Sequence, residues 1–336
     1  MSESVPAPAF ASVYRPVQFA GYVALLLTPA ALLVSAVAGL PALSAGSLGV
    51  QVGIVLTLTG TVTAAAERDR VIDEFALDAA GFDRTDGIDV VAVTVGALVT
   101  YGASVGAELG PVLASALVGL AAGLALPRVA VPLYCGSFVG MASPAVFPGP
   151  EFVAVAGLLA GLAFVATAES FGGFGGKLGT IALFGCTTTV ACLGLEYGAT
   201  SAPAWDLVPI VVPVAAVAAV ATVVLSLHLE LGAVVGSALV GTVAGIAFPF
   251  LFALAELGTT LATVAFCASF VGMSSTERLA TAGHVGVAGG LCGLVYLAVM
   301  PSVAGAGGKL GTTAFVSCIA LVGLEEVRDA VAVSGE

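Results

Sequence analysis

Positive charge is what this sequence has least of: seven arginines and two lysines stand against 21 acidic residues in 336, and asparagine is absent. With a net charge of −12 there is no basic patch able to neutralise phosphates, which argues against a nucleic-acid partner. The carboxylate excess gives the halophilic composition of a salt-adapted protein. Charge of either sign is rare, at 9% of residues, while 59% are hydrophobic and the mean hydropathy is +1.14. Such a chain cannot be dissolved as a soluble globule, so lipid is part of its solvent.

Groups that carry chemistry are equally scarce. His228 and His284 have no Cys or carboxylate partner at ligand spacing, and neither reads as a metal ligand or catalytic base. The cysteines at 135, 186, 192, 267, 292 and 318 all fall in apolar runs without the paired spacing of a zinc or redox motif, and read as small buried hydrophobes. HExxH and paired aspartates within apolar runs are missing, so neither enzymatic activity nor a cofactor is expected. The start, Met1 to Tyr14, lacks a basic cluster and a cleavage site, so a removed signal peptide is not expected.

What is abundant is Ala, Val, Leu and Gly in long apolar runs, a composition suited to closely packed transmembrane helices. The runs fall at roughly 17 to 40 and 44 to 66, then, after a polar stretch, at 89 to 107, 110 to 127, 129 to 143, 151 to 169, 178 to 198, 207 to 227, 231 to 255, 258 to 273, 282 to 300 and 309 to 324. The expected fold is therefore an all-α polytopic bundle of about twelve segments, the shorter ones being half-helices or re-entrant segments. The strict alternation of a transmembrane barrel is absent. An N-terminal cytoplasmic tail over 1–16, an acidic cytoplasmic loop over 67–88 and a C-terminal tail over 327–336 complete the expected plan.

The chain repeats itself. GGKLGT occupies Gly175 to Thr180 and again Gly307 to Thr312, and SFVGM occupies Ser137 to Met141 and again Ser269 to Met273, both pairs 132 positions apart. At the same offset the GxxxG of Gly157 and Gly161 matches that of Gly289 and Gly293. Upstream, Glu108-Leu109-Gly110 matches Glu230-Leu231-Gly232 at an offset of 122, as SALVG does at Ser115 and Ser237. Two leading helices (17–66) thus precede repeat one (89–198) and repeat two (207–326), each of five apolar segments. An odd number of crossings inverts the second repeat relative to the first. With the N-terminus inside, twelve crossings put all seven arginines on the cytoplasmic side, as the positive-inside tendency requires, and both termini there as well.

The only two lysines, Lys177 and Lys309, sit in the repeated GGKLGT at the start of an apolar run. Free N–H groups at a helix N-terminus, glycines that admit a ligand and an ammonium together suit an anion, which makes Gly175, Gly176, Gly307, Gly308, Thr180 and Thr312 candidates beside the lysines. The other reading is that each lysine snorkels to an interface. Ser137 and Ser269 are candidates to line a path or to pack helices, and the GxxxG elements are packing motifs. Glu108 and Glu230 are candidates for ion coupling or solvated turn acids. Glu169 lies eight residues before Lys177 without a repeated counterpart. The expected function is a secondary transporter or channel for a small solute or ion, with an anion favoured. A homo-oligomer is compatible with that plan. Alternatives are a non-transporting membrane assembly subunit or a membrane-embedded enzyme.

Overall fold

The computed structural model describes residues 11–38, 48–77, 82–199, 203–251 and 255–334, and among them there is no strand. Twelve α-helices follow in order among the described residues: α1 Ala11–Ala38, α2 Leu48–Leu77, α3 Arg84–Tyr101, α4 Pro111–Ala125, α5 Ala130–Val139, α6 Pro150–Ala166, α7 Lys177–Leu193, α8 Val208–Val223, α9 Ala233–Leu251, α10 Ala255–Ser269, α11 Ala282–Val299 and α12 Lys309–Ser334. Several have a readable start. An Asp83/Asp86 capping box opens α3, Pro111 and Pro150 occupy the first turns of α4 and α6, and Thr281 accepts from the His284 N–H at the start of α11.

Among the described residues seven helices are long and apolar enough to cross a membrane: α1, α3 with its continuation to Gly106, α8 with its flanking turns, α9, α10 with the turn to Met273, α11 and α12. Of the about twelve segments expected, the shorter ones as half-helices or re-entrant segments, several of the rest are short. Helices α4 to α7 have 10 to 17 residues, and at about 1.5 Å per residue the ten residues of α5 reach about half of a hydrocarbon core. The polar stretch differs from the expected loop over 67–88: α2 continues through it to Leu77 and α3 begins at Arg84. Likewise α1 covers 11–16 and α12 runs to Ser334, so those parts of the expected tails are helical, while 1–10 lie outside the described residues.

Positions matched by the sequence offsets share backbone features. Helices α3 and α8 both end in a π-helical turn, Gly102–Gly106 and Val224–His228, followed by a left-handed glutamate, Glu108 at φ 56 and Glu230 at φ 55. Downstream, Phe171 and Val303, Gly173 and Gly305, and Gly176 and Gly308 share positive φ at the 132-residue offset. Contacts between the halves are reciprocal: Ser143 N–H donates to Gly305 O and Ser275 N–H donates to Gly173 O, each at 2.8 Å. The GxxxG glycines lie at equivalent seams, Gly157 and Gly161 against Thr94 and Val90 of α3, Gly289 and Gly293 against Ala219 and Ala215 of α8.

Paired helices cross antiparallel. Gly123 of α4 faces Val235 of α9, whereas Ala116 and Leu113 face Gly241 and Gly245. Gly176 abuts Gly311 and Phe315, while Gly308 abuts Gly179 and Leu183, so α7 and α12 overlap by their first two turns with N-termini opposed. The leading helices wrap this core. Gln18 of α1 donates to Val165 O on α6 at 2.9 Å, and Thr63 of α2 donates to Ile319 O on α12 at 2.9 Å.

Candidate functional site

The two GGKLGT segments meet in the middle of the molecule. Gly179 and Gly311 approach so closely that a methyl group on either would overlap the other's Cα. Gly176 and Gly308, both at φ 84, cap α7 and α12 in a left-handed conformation open to glycine and leave the next residues, Lys177 and Lys309, as the first of their helices. That placement is the one anticipated from the sequence.

Both lysine ammoniums are held by backbone carbonyls. Lys177 Nζ donates to Thr167 O at 2.6 Å and Ala168 O at 3.4 Å, and Lys309 Nζ donates to Met300 O at 2.8 Å and Ser302 O at 3.2 Å. Each ammonium thus covers carbonyls at the C-terminal end of the helix before it, α6 or α11, where cations are favoured. An ammonium has three donors and these account for two. Among the described residues no carboxylate lies within ion-pair distance of either lysine. Glu169 accepts instead from Tyr14 Oη at 3.2 Å.

A cavity lies beside each lysine. The first, about 340 Å³, is lined by Gly175, Gly176, Lys177, Leu178 and Met273 and by the aromatic rings Phe164 and Phe174, with Asp86 and Asp89 of α3 also on its wall. The second, about 130 Å³, is lined by Gly308, Lys309, Leu310, Gly311 and Met141, with Val112, Thr263 and Met300. The linings correspond at the repeat offset: Val131, Ala168, Phe174, Gly176, Lys177 and Leu178 answer to Thr263, Met300, Ala306, Gly308, Lys309 and Leu310. Two side chains, Phe138 and Phe270, line both cavities, and their ring centroids are 4.7 Å apart.

Other candidates lie elsewhere. Thr180 and Thr312 are buried and donate back to the Gly176 and Gly308 carbonyls at 3.4 and 3.2 Å. Gly307 packs against the carbonyls of Phe138 and Val139, outside the linings. Ser137 and Ser269 join helices, bonding Ser115 and Ser237 at 2.8 Å each. In SFVGM it is the Phe and the Met, not the Ser, that reach the cavities. Glu108 and Glu230 are exposed and line neither cavity. The histidines stay apart, His284 lying 3.4 Å from Glu325 near the surface, and no cluster of three metal-ligating side chains occurs among the described residues.

One polar cluster has no signal in the spacing of the sequence. Glu67 of α2 is 3% exposed and pairs with Arg278, between α10 and α11, at 2.7 Å. Its second oxygen accepts from the Phe171 N–H at 3.1 Å. Arg278 donates to Gly172 O at 2.9 Å and lies 4.3 Å above the Phe174 ring. The pair therefore fastens the loop that leads into Lys177. At the repeat offset Val146 stands in place of Arg278, so the loop before Lys309 has no such clasp. No protein-family model, no curated protein and no solved structure matches this chain.

Proposed function

We propose that this chain is a membrane transport protein of two inverted five-helix repeats that moves a small solute between the two cavities, past Phe138 and Phe270. The observation that carries the reading is the pair of repeat-equivalent cavities set back to back on those two rings. A two-fold relation between antiparallel partners such as α7 and α12 exchanges the two ends of a bundle, so the cavities serve opposite faces. The contact between Glu67 and Arg278 supports this, since twelve crossings with the N-terminus inside would put both on the cytoplasmic face, along with the termini. The cavity at Lys177 is then the cytoplasmic one.

An anion is the favoured solute. Each cavity presents an ammonium without a carboxylate partner and the N-terminus of α7 or α12, whose backbone N–H groups carry partial positive charge. Asp86 and Asp89 on the cytoplasmic cavity repel multivalent anions, so the class is a small, singly charged anion. The test is uptake of nitrate, formate and chloride by proteoliposomes. Lys177→Ala and Lys309→Ala should each lower uptake at least tenfold, and preloaded substrate accelerates uptake in a carrier but not in a channel. Uptake equal to that of empty liposomes, or indifference to both substitutions, overturns the reading.

A further inference from the structure

We infer that Phe138 and Phe270 form the closed gate of this pathway, a pair of movable rings carried on a fixed aromatic base; the inference rests on the transport reading above. Four rings, two from α5, one from α10 and Phe270 immediately after it, meet where the halves join. Tyr134 and Phe138 are 4.5 Å apart, Phe266 and Phe270 are 4.7 Å apart, and the cross-distances from Tyr134 to Phe270 and from Phe138 to Phe266 are both 6.3 Å. All four are at most 2% exposed, so no water-filled passage joins the cavities here.

The four rings are not equivalent in what holds them. Tyr134 and Phe266 pack against Gly119 and Gly241, where even a methyl group would overlap the ring. Tyr134 Oη also bonds Ser237 at 3.0 Å, which bonds Ser269 at 2.8 Å, so this base is pinned by packing and by a hydrogen-bonded chain. Phe138 and Phe270 instead belong to the linings of both cavities. A phenyl ring beside a void can change rotamer at the cost of a few dispersion contacts. Turning either ring into a cavity joins the two.

Such a gate also selects. Rings offer no hydrogen bonds to replace a hydration shell, so a strongly hydrated ion is refused, whereas a weakly hydrated anion loses little in passing ring edges, which carry partial positive charge. The lysines on either side then receive it. Sulfate and other multivalent anions are excluded by the same step.

The test is sidedness of labelling in proteoliposomes of known orientation, with the exposed Cys192 replaced by Ser and a membrane-impermeant thiol reagent added to one face at a time. Met273→Cys and Met141→Cys, one in each cavity, should each react from one face only, and from opposite faces. Adding Phe138→Ala and Phe270→Ala should make each site reactive from both faces and raise nitrate flux at least tenfold. Phe138→Leu and Phe270→Leu provide the same readout should the alanine pair fail to fold. One-sided labelling that persists without the rings, or two-sided labelling with them present, overturns the gate and leaves the pathway standing. Labelling of both methionine sites from the same face overturns the pathway and the gate together.

Discussion

A single carboxylate, Glu67, holds more of the structure than any other acid. It binds Arg278 and the Phe171 N–H, with the exposed Arg70 guanidinium a longer 3.4 Å away, while almost fully removed from water. Removing one partner of a buried ion pair leaves an uncompensated charge, whereas removing both costs little. Glu67→Gln and Arg278→Gln should each destabilise by about 3–5 kcal/mol, and Glu67→Leu combined with Arg278→Met should recover most of that loss. Thermal unfolding of the four proteins in detergent measures this, and additive effects in the double variant refute it. The lysines differ in kind, because their partners are carbonyls. Lys309→Met strands the Met300 and Ser302 carbonyls, a loss of about 1–3 kcal/mol that lowers the melting temperature. Stability and flux are separate readings of the same substitution. A variant that loses flux while its melting temperature is unchanged assigns the lysine to the solute alone.

At the scale of elements, the crossing of α7 and α12 depends on having no side chain where they touch. A methyl group at Gly179 meets the Gly311 backbone, whereas one at Gly87 in α3 meets nothing within 4 Å. Gly179→Ala should therefore reduce the yield of monodisperse protein, while Gly87→Ala should leave it unchanged or raise stability by about 0.5–1 kcal/mol, the helix-propensity difference. Size-exclusion profiles of the two side by side decide the point, and equal behaviour contradicts the crossing. How much of this was legible beforehand follows from what spacing can encode. The all-helical fold and the placing of Lys177 and Lys309 at helix starts could be read, since each rests on local pattern. The roles within SFVGM could not, because which of Ser137, Phe138 and Met141 faces a cavity depends on the rotation of α5 against α10. The Glu67–Arg278 pair joins positions 211 residues apart with no repeated counterpart, and α2 conceals it by remaining helical through a polar stretch that reads as a loop.

For the whole molecule the decisive quantity is orientation, because every functional statement above assumes that the halves face opposite ways. Glu108 and Glu230 report on it directly. They end the same π-helical turn in each repeat, share a left-handed backbone and are exposed, so a change of side chain there disturbs no packing. Cysteine at either position is as strained as glutamate and no more. If the repeats are inverted, Glu108→Cys is modified by an impermeant reagent only from outside the cell and Glu230→Cys only from the cytoplasm. Parallel repeats would expose both to the same face, because equivalent turns would then lie at equal depth. Carried out in intact cells and in inverted vesicles, the comparison needs no knowledge of the solute. It separates a pathway crossing the bilayer between two cavities from a pair of pockets opening on one side, which no lysine or phenylalanine could convert into transport.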